Sequence, residues 1–137
     1  MIAPGGLPSL GEMDQAGASR GLRIWLALAP TDMRCGFDRL ADLARSVTGE
    51  DPLSGQLFIF RGRSGDRLKI LRWDRDGYCL WYKRLEEGVF KLPRVQAGKA
   101  SLELKPSELA MLLEGIDLAS VKRGKRYMRR IAGTPGA

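Results

Sequence analysis

Between residues 57 and 85 the chain reads LFIFRGRSGDRLKILRWDRDGYCLWYKRL, three strand-forming runs separated by two reversal signals. Gly62 to Asp66 suits a hairpin loop, and Asp76-Gly77 is a strong two-residue turn signal. Residues 56–61, 67–73 and 78–85 are therefore predicted as consecutive strands of a meander. Residues 89–92 read as a short edge strand stopped by Pro93, and 101–104 carry weaker strand character.

The flanking segments supply cover. Residues 23–28, RIWLAL, form a buried first strand that ends before Pro30, which lacks a ladder donor. Met33, Phe37, Leu40, Ala41, Ala44 and Val47 recur at steps of three and four, predicting an amphipathic helix over about 32–47. Thr31 stands where a cap would, Gly36 falls inside the helix and Gly49 stops it. A second helix opens at Pro106-Ser107, carries Leu109, Leu112, Leu113 and Ile116, and ends at Gly115. The expected class is α+β: a small antiparallel sheet, a meander of 4–5 strands, packed against two helices on one face. Residues 1–20, rich in Gly, Pro, Ala and Ser, read as a flexible leader. Residues 21–117 are one domain and 118–137 a basic tail.

The 137 residues suffice for one core, and the absence of histidine removes the commonest general base and metal ligand. Cys35 and Cys79 make neither a disulfide framework nor a metal set. No run approaches the ~18 apolar residues of a membrane span, and the N-terminus lacks a secretory pattern. A cytoplasmic protein without cofactor or metal is expected.

Charge is unevenly placed. Residues 61–84 hold eight basic against three acidic side chains, and residues 116–137 hold six against one, within a net charge of +7. Two basic blocks on a nearly neutral body point to a polyanionic partner. Strand alternation suggests one face carrying Arg67, Lys69, Trp73, Trp81 and Lys83 together, with cations for phosphates and rings for bases. The candidates for nucleic-acid contact are Arg61, Arg63, Arg67, Lys69, Trp73, Trp81, Lys83 and Arg84, joined by Lys122, Arg123, Lys125 and Arg126 of the tail. The same pattern also fits a solvated face whose rings pack beneath a helix. Gly62 and Gly65 suit either a plain hairpin loop or a phosphate cradle. Asp74 and Asp76 are accounted for by turn geometry. No catalytic residue is assigned.

Four segments carry a resemblance: TDMRCGFDRLADL (31–43), DPLSGQLFIFRGRSGDRLKIL (51–71), WDRDGYCLWYKRLEEGVF (73–90) and SELAMLLEGID (107–117). Together they closely resemble the TnpB-type, Orf2-like accessory proteins of the insertion-sequence family numbered sixty-six. The likeness covers about residues 23–117. The chain departs from the family at Cys35, where a basic residue is usual, and at Arg75, where Gly is usual. The resemblance implies a transposition accessory protein and supplies no catalytic residues; joined to the two basic blocks, it gives the expectation of a non-catalytic factor that contacts DNA at element ends through the basic sheet face and tail. The alternative it allows is an interaction module that docks on the transposase or a small helix-turn-helix partner without binding DNA itself. Asp32, Arg34 and Asp38 of TDMRCGFD are the candidates for that docking surface.

Overall fold

Strands that are apolar at every position need cover on both sides, and this requirement sets the architecture. The computed structural model of the chain describes residues 22–92, 97–117 and 122–123. In β1 (Ile24–Ala27) and β2 (Leu57–Arg61), Ile24, Leu26, Leu57 and Ile59 bury on one side of the sheet. Ala27, Phe58 and Phe60 bury on the other. The two strands run parallel, with Ile24 opposite Leu57 and Leu26 opposite Ile59. The helix α1 (Phe37–Thr48) lies between them in sequence, making a βαβ unit. β3 (Arg67–Asp74) and β4 (Gly77–Arg84) extend the sheet as antiparallel hairpins. β5 (Ser101–Leu104) pairs antiparallel with the far side of β1. The five strands lie in the order β4-β3-β2-β1-β5. α2 (Pro106–Leu113) follows, then a ribbon of β6 (Ile116–Asp117) and β7 (Lys122–Arg123).

The α+β class and the size of the sheet agree with the sequence expectation, but two finer features differ. The sheet is mixed, not wholly antiparallel, because the connection through α1 returns the chain in the same direction. The helices also lie on opposite faces. Leu40, Ala41 and Ala44 of α1 pack with Phe58, Phe60 and Leu71, whereas Leu109 and Leu112 of α2 pack with Ile24, Leu57, Ile59, Leu68 and Ile70. With β1 and β2 apolar on both faces, one-sided helices would leave a row of these side chains in water.

Local boundaries also shift. Gly36, not Thr31, is the N-cap of α1, and Phe37 at its first turn is 48% exposed. Thr31 instead makes a parallel bridge to Gly62. Asp38 in the first turn of α1 and Arg45 in the last complement the helix dipole. Residues 89–92 form no strand: Phe90 is fully buried in the core beneath α2, and its N–H donates to Gly65 O at 2.8 Å. The expected leader and the tail beyond residue 123 lie outside the described residues. No described helix is long and apolar enough to cross a membrane.

Candidate nucleic-acid interface

Parallel pairing of β1 and β2 places the loops that follow them at the same end of the sheet, where α/β proteins gather ligand-binding loops. The Thr31 N–H donates to Arg61 O at 2.9 Å, and the Gly62 N–H donates to Arg67 O at 2.9 Å. This brings TDMRCG of one loop against RGRSGD of the other. Gly62 is required at the contact, because a Cβ there would lie 2.7 Å from Met33 Cγ. Gly65 turns the hairpin at φ 83°.

Within the first loop, Asp32 accepts the Arg34 N–H at 2.9 Å and the Arg34 guanidinium at 2.8 Å. These bonds hold the Asp32 carboxyl down to about 2. The Arg34 side chain remains 91% exposed. Lys69 supports the loop from within. Its Nζ donates to Met33 O at 2.6 Å and Cys35 O at 2.9 Å, and it sits 4.8 Å from the centre of the Tyr82 ring.

The product is an open cleft of about 570 Å³ lined by Thr31, Asp32, Met33, Arg34, Arg63, Ser64 and Arg67. A second depression of about 310 Å³ adjoins it through Arg67 and is lined also by Tyr82, Arg84 and Glu86. Some of this charge is already matched. Asp32 meets Arg34, and Arg84 meets Glu86 at 3.5 Å. The Ser64 hydroxyl bonds Asp66, and that bond, more than the nearby Arg67 and Arg84, holds the Asp66 carboxyl below its usual range. Among the described residues, Arg63 and Arg67 form no salt bridge. The Arg67 guanidinium donates to the Tyr82 hydroxyl at 3.3 Å. Two planar guanidinium forks in an open cleft suit anionic oxygens such as those of phosphate.

The shared basic and aromatic face expected from the sequence does not form. Asp74 pairs with Gly77 around a two-residue turn, which sets Lys69 opposite Tyr82, Ile70 opposite Trp81 and Leu68 opposite Lys83. Odd positions of β3 thus share a face with even positions of β4. Arg67, Lys69 and Trp73 lie on the α1 side. Trp81 packs against the core on the α2 side, and Lys83 Nζ reaches Leu113 O at 3.4 Å. Lys69 is only 7% exposed. Trp73 and Tyr78 meet edge to face, with ring centres 5.1 Å apart. Arg61 is half-buried and donates to Phe90 O at 3.1 Å. Arg63 and Arg84 are exposed and Arg67 is half-buried.

Of the tail candidates, Lys122 and Arg123 form β7, while Lys125 and Arg126 lie outside the described residues. Asp38 is exposed beside Phe37. Asp74 and Asp76 are exposed at the β3–β4 turn, where the Asp76 N–H donates to Asp74 O at 2.6 Å. Sequence reasoning missed Thr31 as a cleft residue and kept Arg34 apart from the Arg63-Ser64 loop and Arg67. The available signal was the pair of all-apolar strands flanking a helix, which implies parallel neighbours with their following loops together.

Three comparisons place the chain among known proteins. A family model described as IS66 Orf2-like protein matches residues 22–123. The chain is 44% identical over 100 residues to the uncharacterized protein y4hO of Sinorhizobium fredii, spanning 73% of this chain and 85% of that protein. It is 42% identical over 107 residues to the uncharacterized protein y4jC of the same organism, spanning 78% of this chain and 90% of that protein. No solved structure matches it.

Proposed function

This chain belongs to the IS66 Orf2-like family, that of a transposition-associated accessory protein, and on that premise we propose that it acts by gripping the DNA backbone without catalysing a step itself. The grip is the cleft between the two loops, led by Arg63 and Arg67, with Arg34 and Arg84 at its margins. The cations Lys122, Arg123, Lys125 and Arg126 extend it, and the DNA is that of the element ends. One observation carries this reading: the two loops converge on a cleft whose Arg63 and Arg67 have no carboxylate partner among the described residues. Contacts of this kind neutralise phosphates and read no bases, so they position a duplex and leave sequence choice to other proteins.

Fluorescence anisotropy with an element-end duplex tests the proposal. About six neutralised phosphates give a log–log salt slope near −5. Arg63→Gln with Arg67→Gln makes the slope shallower by about 2. No binding at low salt, or binding indifferent to salt, would sink the reading.

A second reading has its own observation. Phe37 is 48% exposed beside Asp38 and near the Asp32–Arg34 turn, an apolar side chain rimmed by charge as in a docking surface. On this reading the loop docks on the transposase or a helix-turn-helix partner. A pull-down against both, free of DNA, separates the two: Phe37→Ala with Asp38→Ala abolishes capture if docking is the function, whereas neither the unaltered chain nor the variant captures a partner if DNA contact is.

A further inference from the structure

β4 is an outer strand of the sheet, and among the described residues nothing pairs with its free edge. It is eight residues long, against four for β5 at the other edge. A free edge offers a row of unpaired N–H and C=O groups, which proteins blunt with proline, bulges or charge. β4 lacks these defences over most of its length. Its pairing with β3 is unbroken from Gly77 to Arg84, it contains no proline, and its charges are confined to Lys83 and Arg84. Tyr82 is 49% exposed, and Tyr78, Cys79, Leu80 and Trp81 are half-buried.

We propose that this edge joins two copies of the chain, β4 against β4 and antiparallel, about a two-fold axis normal to the sheet at Trp81. For a second copy, the charge pattern selects the antiparallel direction. Parallel addition in register would set Lys83 against Lys83 and Arg84 against Arg84, which opposes like charges directly. The antiparallel arrangement sets Arg84 opposite Tyr78, Lys83 opposite Cys79, Leu80 opposite Tyr82, and Trp81 opposite itself. A two-fold axis normal to the sheet pairs only positions on the same face, and this register meets that condition throughout residues 78–84. It also gives each Arg84 an aromatic face. The two sheets become one, with both arginine clefts on the α1 side. The two Arg67 residues then stand roughly 25 Å apart, from strand rise and spacing. The dimer rests on the β4 edge and not on the DNA reading, and of the cations proposed to grip DNA it engages Arg84 alone.

Sedimentation equilibrium and amide exchange on the full chain are the primary test. A dimer is expected, with β4 amides that exchange slowly when concentrated and faster on dilution. A monomer at the highest soluble concentration overturns the proposal, whether its β4 amides exchange freely or are covered by another part of the chain. The register is tested by Lys83→Cys in a Cys35→Ser background. Mild oxidation should join Cys79 of each copy to the introduced thiol of the other, giving a covalent dimer on non-reducing electrophoresis. Within one strand these positions lie about 13 Å apart, too far for a disulfide. A dimer that never cross-links this way overturns the β4 pairing.

Discussion

Lys69 sits in the strand pattern as one cation among many, yet it is the least available of them. Its ammonium is spent on two backbone carbonyls, Met33 O and Cys35 O, and on the face of Tyr82. The carbonyls of a turn that carries no helix of its own gain their donor from this one side chain. Lys69→Met keeps the apolar stem and removes the donor. Hydrogen bonds to charged groups contribute about 1.5–3 kcal/mol each, so a loss of about 2–3 kcal/mol in urea unfolding is expected. DNA affinity should fall with it while the salt slope stays unchanged, because Lys69 positions Arg34 and touches no phosphate. A shallower slope would show that Lys69 contacts the backbone directly. Arg75 is a different kind of exception. It stands at φ 55°, in the left-handed region that favours glycine.

At the scale of elements, the opposite placement of α1 and α2 makes a measurable claim. Leu40 and Leu109 are both fully buried, one on each side of the sheet. Leu40→Ala and Leu109→Ala should each cost roughly 2–5 kcal/mol. Because they share no partner, the double variant should equal the sum within about 0.5 kcal/mol. Helices sharing one face would couple more strongly. The strands themselves were legible: turn residues at 62–66 and 76–77 and β-rich runs between them place β2, β3 and β4 within a residue or two. Register was legible too, but only by using the turn length. A two-residue reversal pairs odd positions with even ones, which separates Lys69 from Trp81 and Lys83. The start of α1 was not legible from periodicity, since Met33 continues the apolar spacing while Asp32, Lys69 and the bridge at Gly62 draw its backbone into a turn. The cleft escaped for a related reason. It depends on two loops some thirty residues apart meeting, and that follows from the parallel direction of β1 and β2, not from either loop alone.

For the whole molecule, the question is how two separated blocks of positive charge divide the work. The sheet block, residues 61–84, is diluted by the fold: Lys69 is buried, Arg61 and Lys83 are turned to backbone carbonyls, and Arg84 faces Glu86. That leaves Arg63, Arg67, Arg72 and Arg75 of the block, and of these Arg63 and Arg67 line the cleft. In sequence, the C-terminal block, residues 116–137, carries six basic side chains against one acid. If both blocks hold the same duplex, the salt slope should be a sum of parts. Replacing Lys122, Arg123, Lys125 and Arg126 by Gln should make the slope shallower by up to about 4, against about 2 for Arg63→Gln with Arg67→Gln. Combining the two sets should bring binding close to salt-independent. The cleft and the C-terminal block then differ in character. Cleft variants should also change which DNA geometries are accepted, since Arg63 and Arg67 are fixed by the Thr31–Gly62 bridge, whereas C-terminal variants should weaken all duplexes alike. Titrating straight, nicked and branched duplexes of equal length against both sets separates the two. An equal loss on every substrate from the cleft set would mean that the cleft supplies charge alone and no orientation.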